Sequence, residues 1–99
     1  MISDVIKLIA VTRTQDSIGA WTEQEAENTV YAEVDSVSRS EWFEAGKAGL
    51  RAEFRFTIFL GDWHGEEIVE YNGQRYGVYR TYHSTNDRIE LYCERQVGA

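Results

Sequence analysis

Asn72-Gly73 is the dipeptide that leaves this chain the fewest folding options. A two-residue hairpin turn needs positive φ at both central positions, and Asn and Gly adopt it at low cost. Strand-forming runs flank the pair, Glu66–Tyr71 before it and Gln74–His83 after it. An antiparallel hairpin is therefore predicted there. A lone hairpin is marginal in water, so the rest of the chain must supply strands to pair with its edges.

Those strands are legible as period-two patterns. Glu53–Leu60 sets Phe54, Phe56, Ile58 and Leu60 against Glu53, Arg55, Thr57 and Phe59. Thr29–Val37 sets Val30, Ala32 and Val34 against Tyr31, Glu33 and Asp35, and Arg88–Arg95 puts Ile89, Leu91 and Cys93 on one face. Residues 4–13 are apolar on both faces, with Ile6, Leu8 and Ala10 on one and Val5, Ile9 and Val11 on the other. Such a strand is covered on both sides, and a neighbouring subunit is the expected second cover. Residues 14–22, with Asp16, Ser17 and Gly19, read as a turn region, and the acidic stretch 23–28 as loop or exposed strand. Glycines bound a loop at 61–65, and 84–87 is a further turn.

One helix interrupts the strands. Ser38-Arg39-Ser40-Glu41 fits a capping box, and Val37 and Trp42 are spaced for a hydrophobic staple. Gly46 weakens the interior and Gly49 suits a left-handed end, so the helix should span about residues 39–48. The fold class expected is mainly β: a small β-barrel of about six antiparallel strands with one short inserted helix, forming a single domain over residues 1–99.

Charge narrows the partners. Ten basic residues face 17 acidic ones, for a net charge of −7. The basic residues are scattered, so the counterion release that drives nucleic-acid binding has no footprint here, and a basic protein patch is the easier partner. Cys93 is the lone cysteine, so no internal disulfide is expected. The apolar N-terminal stretch contains Asp4 and Lys7 and lacks the layout of a signal peptide. No apolar run is long enough to span a membrane.

Reactive constellations are weak. Asp62, His64 and Glu66 cluster, but no pair of His or Cys residues has zinc-ligand spacing, and a solvated loop is the simpler reading. Glu66, Glu67 and Glu70 fall on alternating faces, as on an exposed strand, rather than as a catalytic pair. Cys93 reads as a small buried hydrophobe. Tyr76, Tyr79 and Tyr82 with Phe54, Phe56 and Phe59 could form a stacking platform for single strands, but the acidic balance favours core and interface roles. No phosphate loop, nucleophile elbow or kinase motif is visible. Nothing convergent suggests an enzyme, a cofactor or a metal.

The run Val30-Tyr31-Ala32-Glu33-Val34-Asp35-Ser36-Val37-Ser38-Arg39-Ser40-Glu41-Trp42-Phe43-Glu44-Ala45 resembles a segment of the phage head–tail joining family, the head-closure or stopper proteins. Gly49-Leu50, Glu53-Phe54-Arg55-Phe56, Glu70-Tyr71-Asn72-Gly73-Gln74-Arg75-Tyr76, Arg80-Thr81-Tyr82 and Ile89-Glu90-Leu91 extend the likeness in order, from about Ile6 to Arg95. Asp16-Ser17-Ile18-Gly19 stands where relatives carry Asp-Gly, which implies a longer hairpin tip. The resemblance implies a structural component of the virion neck, made in the bacterial cytoplasm. It would be a homo-oligomeric ring of about twelve subunits below the portal and its adaptor, meeting a tail-terminator protein. The ring would join head to tail and help retain packaged DNA, which passes without sequence-specific binding through an acidic channel. The contact candidates, for a neighbouring subunit or the lumen, are Trp42, Phe43, Glu44, Lys47 and Leu50, with Val5 and Ile9 on the first strand. Trp42 and Phe43 could equally belong to the monomer core. The competing function is a small acidic barrel that binds a basic protein or peptide.

Overall fold

The computed structural model describes residues 2–96. Six strands follow one another as β1 (Ile2–Gln15), β2 (Trp21–Ser36), β3 (Ala52–Phe59), β4 (Ile68–Tyr71), β5 (Gln74–Thr85) and β6 (Arg88–Arg95). Helix α1 (Arg39–Lys47) lies between β2 and β3, and a single 3₁₀ turn, Leu60–Asp62, follows β3. The strands close in the order β1-β2-β3-β6-β5-β4, with β4 returning to β1 and every pairing antiparallel. The expected barrel with one inserted helix is the observed architecture.

Alternation decides what fills it. Ile6 and Leu8 on β1, Val30, Ala32 and Val34 on β2, and Phe56 and Ile58 on β3 point inward, where Val69, Ile89, Leu91 and Cys93 meet them. Phe54, Phe56, Tyr71 and Tyr76 pack together, with ring centroids 5.3–6.0 Å apart and mostly edge to face. Such pairs add to the burial energy of each ring. Asn72 (φ 50°) and Gly73 (φ 75°) both take the positive φ that the β4–β5 turn requires.

The strand before the Asn72-Gly73 turn starts later than the sequence expectation. Glu66 and Glu67 precede β4 instead of joining it. The carboxylate of Glu66 accepts the His64 backbone N–H at 2.5 Å, and the Trp63 indole N–H donates to the Glu66 carbonyl, so the segment folds back as a loop. Residues 23–28, left open between loop and exposed strand, are exposed strand paired to β1 throughout. The tip between β1 and β2 is compact, yet longer than a two-residue Asp-Gly turn. Asp16 N–H donates to the Ala20 carbonyl and Gly19 N–H to the Asp16 carbonyl, with Gly19 at φ 87°. Asp16 Oδ1 accepts from the backbone of Ile18 and Ala20. This is a type I turn followed by a left-handed glycine, a short hairpin connection.

Candidate functional site

The elements that stand out from the barrel are its candidate working surfaces. The first is α1, which is held at both ends. Ser38 is the N-cap, its Oγ accepting the Glu41 N–H at 3.1 Å. At the other end Leu50 N–H donates to the Ala45 carbonyl and Gly49 N–H to that of Gly46, with Gly49 at φ 81°. That is a Schellman closure, which fixes Leu50 against the helix.

Glu41 was expected to turn back toward the cap. Its carboxylate instead reaches β5, accepting from Tyr79 Oη at 2.6 Å and from Arg80 Nε at 3.1 Å and Nη2. A β-bulge makes this possible. The β5–β6 register slips between Val78 and Arg80, leaving Tyr79 as the extra residue. Consecutive strand residues normally point to opposite faces, but here both reach the one carboxylate. The Arg80 guanidinium also lies 3.7 Å from the centroid of the Tyr92 ring. The hydrogen bonds from Arg80, then that from Tyr79, hold the Glu41 carboxyl below its usual range against the opposing effect of burial. Burial, then the bond to Glu41, drives the Tyr79 phenol well above its own.

With α1 fixed this way, Trp42 and Phe43 turn outward, 54% and 56% exposed, with rings edge to face at 5.3 Å. The core alternative for these two residues is thereby overturned. Together with Val37, Ala52, Arg39 and Glu53 they line a cleft of about 580 Å³. Val37 and Trp42, the expected staple pair, both border it. Glu44 and Lys47 pair with each other at 3.3 Å on the exposed side of the helix. Leu50 lines a second hollow of about 420 Å³ with Glu41, Ala45, Tyr79 and Arg80.

The second surface is a projecting arm. β1 and β2 stay paired from Ile2↔Val34 to Gln15↔Trp21, but β4 meets β1 only at Lys7–Ile9 and β3 meets β2 only at Glu33–Ser36. Beyond these contacts the two strands run on as a bare ribbon, and residues 11–29 are exposed throughout. At its base a ladder of charge fixes its direction. Lys7 sits 3.6 Å from both Glu27 and Glu70, and Arg75 grips Glu25 with two bonds of 2.8 Å. The Arg75 guanidinium holds the Glu25 carboxyl below its usual range. Ile18 at the tip is 87% exposed and Trp21 beside it 67%.

The first-strand candidates separate. Val5 is half exposed and lies directly opposite Tyr31, which is 82% exposed, so an apolar pair faces outward on the wall. Ile9 is fully buried, although it points away from the interior face of Ile6 and Leu8. It borders a cleft with Val11 and the His64–Ile68 segment. Its cover comes from the same chain, and Ile9 is not available to a neighbour.

The reactive constellations come apart likewise. Among the described residues no three His, Cys, Asp or Glu side chains are placed to share a metal ion. The aromatic platform does not form: Phe54, Phe56 and Tyr76 turn inward, Tyr79 lies beneath α1, and Phe59 and Tyr82 stand exposed on the outer wall. Cys93 is fully buried, and burial pushes its thiol far above the usual range. No helix among the described residues is long and apolar enough to cross a membrane.

Sequence reasoning missed the arm and the Glu41 anchor. The arm has no apolar periodicity to announce it, because nothing in the chain covers it. No protein-family model matches the chain, and no curated protein matches it at a significant level.

Proposed function

We propose that this chain is a structural, non-enzymatic component of the neck of a tailed bacteriophage or prophage. It forms a ring beneath the portal and its adaptor, joins head to tail and helps retain packaged DNA. The observation that carries the reading is the placement of its exposed apolar groups. They stand on separate features: Ile18 and Trp21 on the arm, Trp42 and Phe43 on α1, Val5 and Tyr31 on one wall, and Phe59 and Tyr82 on another. A subunit that must contact copies on both sides, together with partners above and below, needs several such patches. The ordered resemblance to head-closure proteins points the same way, as does the engagement of most charged side chains in ion pairs with one another.

The test is biochemical. Particles carrying portal and adaptor, purified from a phage or induced prophage that encodes the chain, should contain it at the portal vertex. Heads assembled without it should lose their DNA. Absence of the chain from such particles, with DNA retained, refutes the reading. Tight capture of a basic peptide by the free chain would instead favour an acidic protein-binding module, to which the net charge of −7 is suited.

A further inference from the structure

The arm and the α1 cleft lie at opposite ends of the molecule. β2 begins at the arm tip with Trp21 and ends with Ser36, a residue that lines the cleft. Fifteen residues of extended chain span about 50 Å, and the molecule measures 48 × 30 × 25 Å. A chain therefore cannot fill its own cleft with its own arm. The bare ribbon projects about 20 Å past the last β4 contact, and a two-stranded ribbon gains little stability of its own in water. A cover for its tip must come from another molecule.

Tip and cleft are complementary. The tip offers one aliphatic knob, Ile18, with the Trp21 indole behind it. The cleft offers an apolar lining of Val37, Trp42, Phe43 and Ala52, with room for both side chains. Charge agrees. Of the acidic residues at 16–28, Glu23, Glu25 and Glu27 pair with Arg13, Arg75 and Lys7, which leaves Asp16 as the tip's own negative charge. Arg39 lines the cleft and Arg51 adjoins the lining residue Ala52 in sequence; neither is paired with a carboxylate among the described residues. Glu53, the acidic residue of the lining, lies 3.6 Å from Arg95. An acidic chain thus keeps two unpaired arginines beside an apolar cleft that an arm tip carrying Ile18 and Asp16 could enter.

We propose that the arm tip of one copy seats in the α1 cleft of the next. Ile18 sits against Trp42 and Phe43, and Asp16 faces Arg39. The contact is heterologous: each copy uses its tip on one neighbour and its cleft on the other, so copies join head to tail and a closing rotation makes a ring. The inference builds on the neck reading, since a ring needs one repeated contact, but its test does not depend on that reading.

Isotope-labelled chain bearing Ile18→Cys, mixed with unlabelled Phe43→Cys chain under mild oxidation, should yield a mixed disulfide identified by mass. Cys93 is buried and does not compete. Excess unmodified chain should suppress the product; excess Ile18→Asp/Phe43→Asp chain should not. Both sites are exposed, so these variants fold. In sedimentation, Ile18→Asp should weaken self-association by about tenfold or more, because it places a carboxylate in an apolar cleft. Added salt should weaken association further. Absence of the mixed disulfide at millimolar chain, or a yield indifferent to the competitors, overturns the contact. Co-sedimentation of the unmodified chain with portal particles would then still stand or fall separately.

Discussion

Replacing Glu41 by alanine is the most informative single change to the monomer, because one carboxylate holds the helix to the barrel. The Glu41 side chain is only 13% exposed and accepts from both Tyr79 and Arg80. A net hydrogen bond to a charged group contributes about 1.5–3 kcal/mol. Arg80 is nearly half exposed, so water replaces much of what it loses, and about 1 kcal/mol is the share to expect from it. The Tyr79 hydroxyl, left under the helix without its acceptor, adds about 1 kcal/mol. The expected destabilisation is about 2 kcal/mol, a fall in Tm of about 10 °C for a domain of this size. Urea and thermal unfolding followed by tryptophan fluorescence will measure it. A double-mutant cycle with Arg80→Ala should return a coupling of about 1 kcal/mol. Glu44→Ala, at an exposed helix pair, should change stability by less than about 0.5 kcal/mol.

The same anchor sets an acid response. The folded-state pKa of Glu41 lies below a free glutamate's 4.5, so its stabilisation is present above that value and is lost as pH falls through the lowered one. Asp35, held down by Arg55, acts in the same sense. Stability of the parent should decline below about pH 4.5, and Glu41→Gln should flatten that decline. A Glu41→Ala effect under about 0.5 kcal/mol without coupling to Arg80 would refute the account.

Further outcomes follow from the core and the turns. Gly73→Ala should cost about 1 kcal/mol in urea unfolding through φ strain alone, because an added Cβ there meets no atom within 4 Å. Phe56→Ala, at a fully buried position, should cost about 3–5 kcal/mol and leave little folded chain by circular dichroism. Cys93 should resist a thiol-labelling disulfide reagent in the folded state and react at once in denaturant, because burial both shields the thiol and disfavours its thiolate.

Much of the fold could be read in advance wherever burial imposes a period. The inward rows of β1, β2, β3 and β6 and the Asn72-Gly73 turn are local patterns with a single structural solution. So is the Ser38 cap, whose hydroxyl meets the Glu41 N–H as its spacing requires. What escaped the sequence depends on partners distant along the chain. Glu41 satisfied the capping-box pattern, yet its carboxylate found donors 38 and 39 residues away. Ile9 looked like an outer-face contact, but the loop before β4 lies against it. The stretch 23–28 had no apolar row because the ribbon buries neither face, so nothing separated strand from loop.

The extra residue in β5 acts as a parity switch. Upstream of it Val78 lies opposite Cys93 and faces the interior; downstream, Thr81 takes the corresponding position opposite Leu91. Deleting Tyr79 would straighten the ladder: Arg80 would stay opposite Tyr92 and Thr81 opposite Leu91. The phenol that meets Glu41 would be gone, and the helix would hang from Arg80 alone. Keeping Tyr79 without the bulge would do the greater harm, because plain alternation would carry the Arg80 guanidinium toward the greasy centre and turn Thr81 to solvent. The surplus residue is thus what lets one strand line the interior at Val78 and still hand a cation to the helix two positions on.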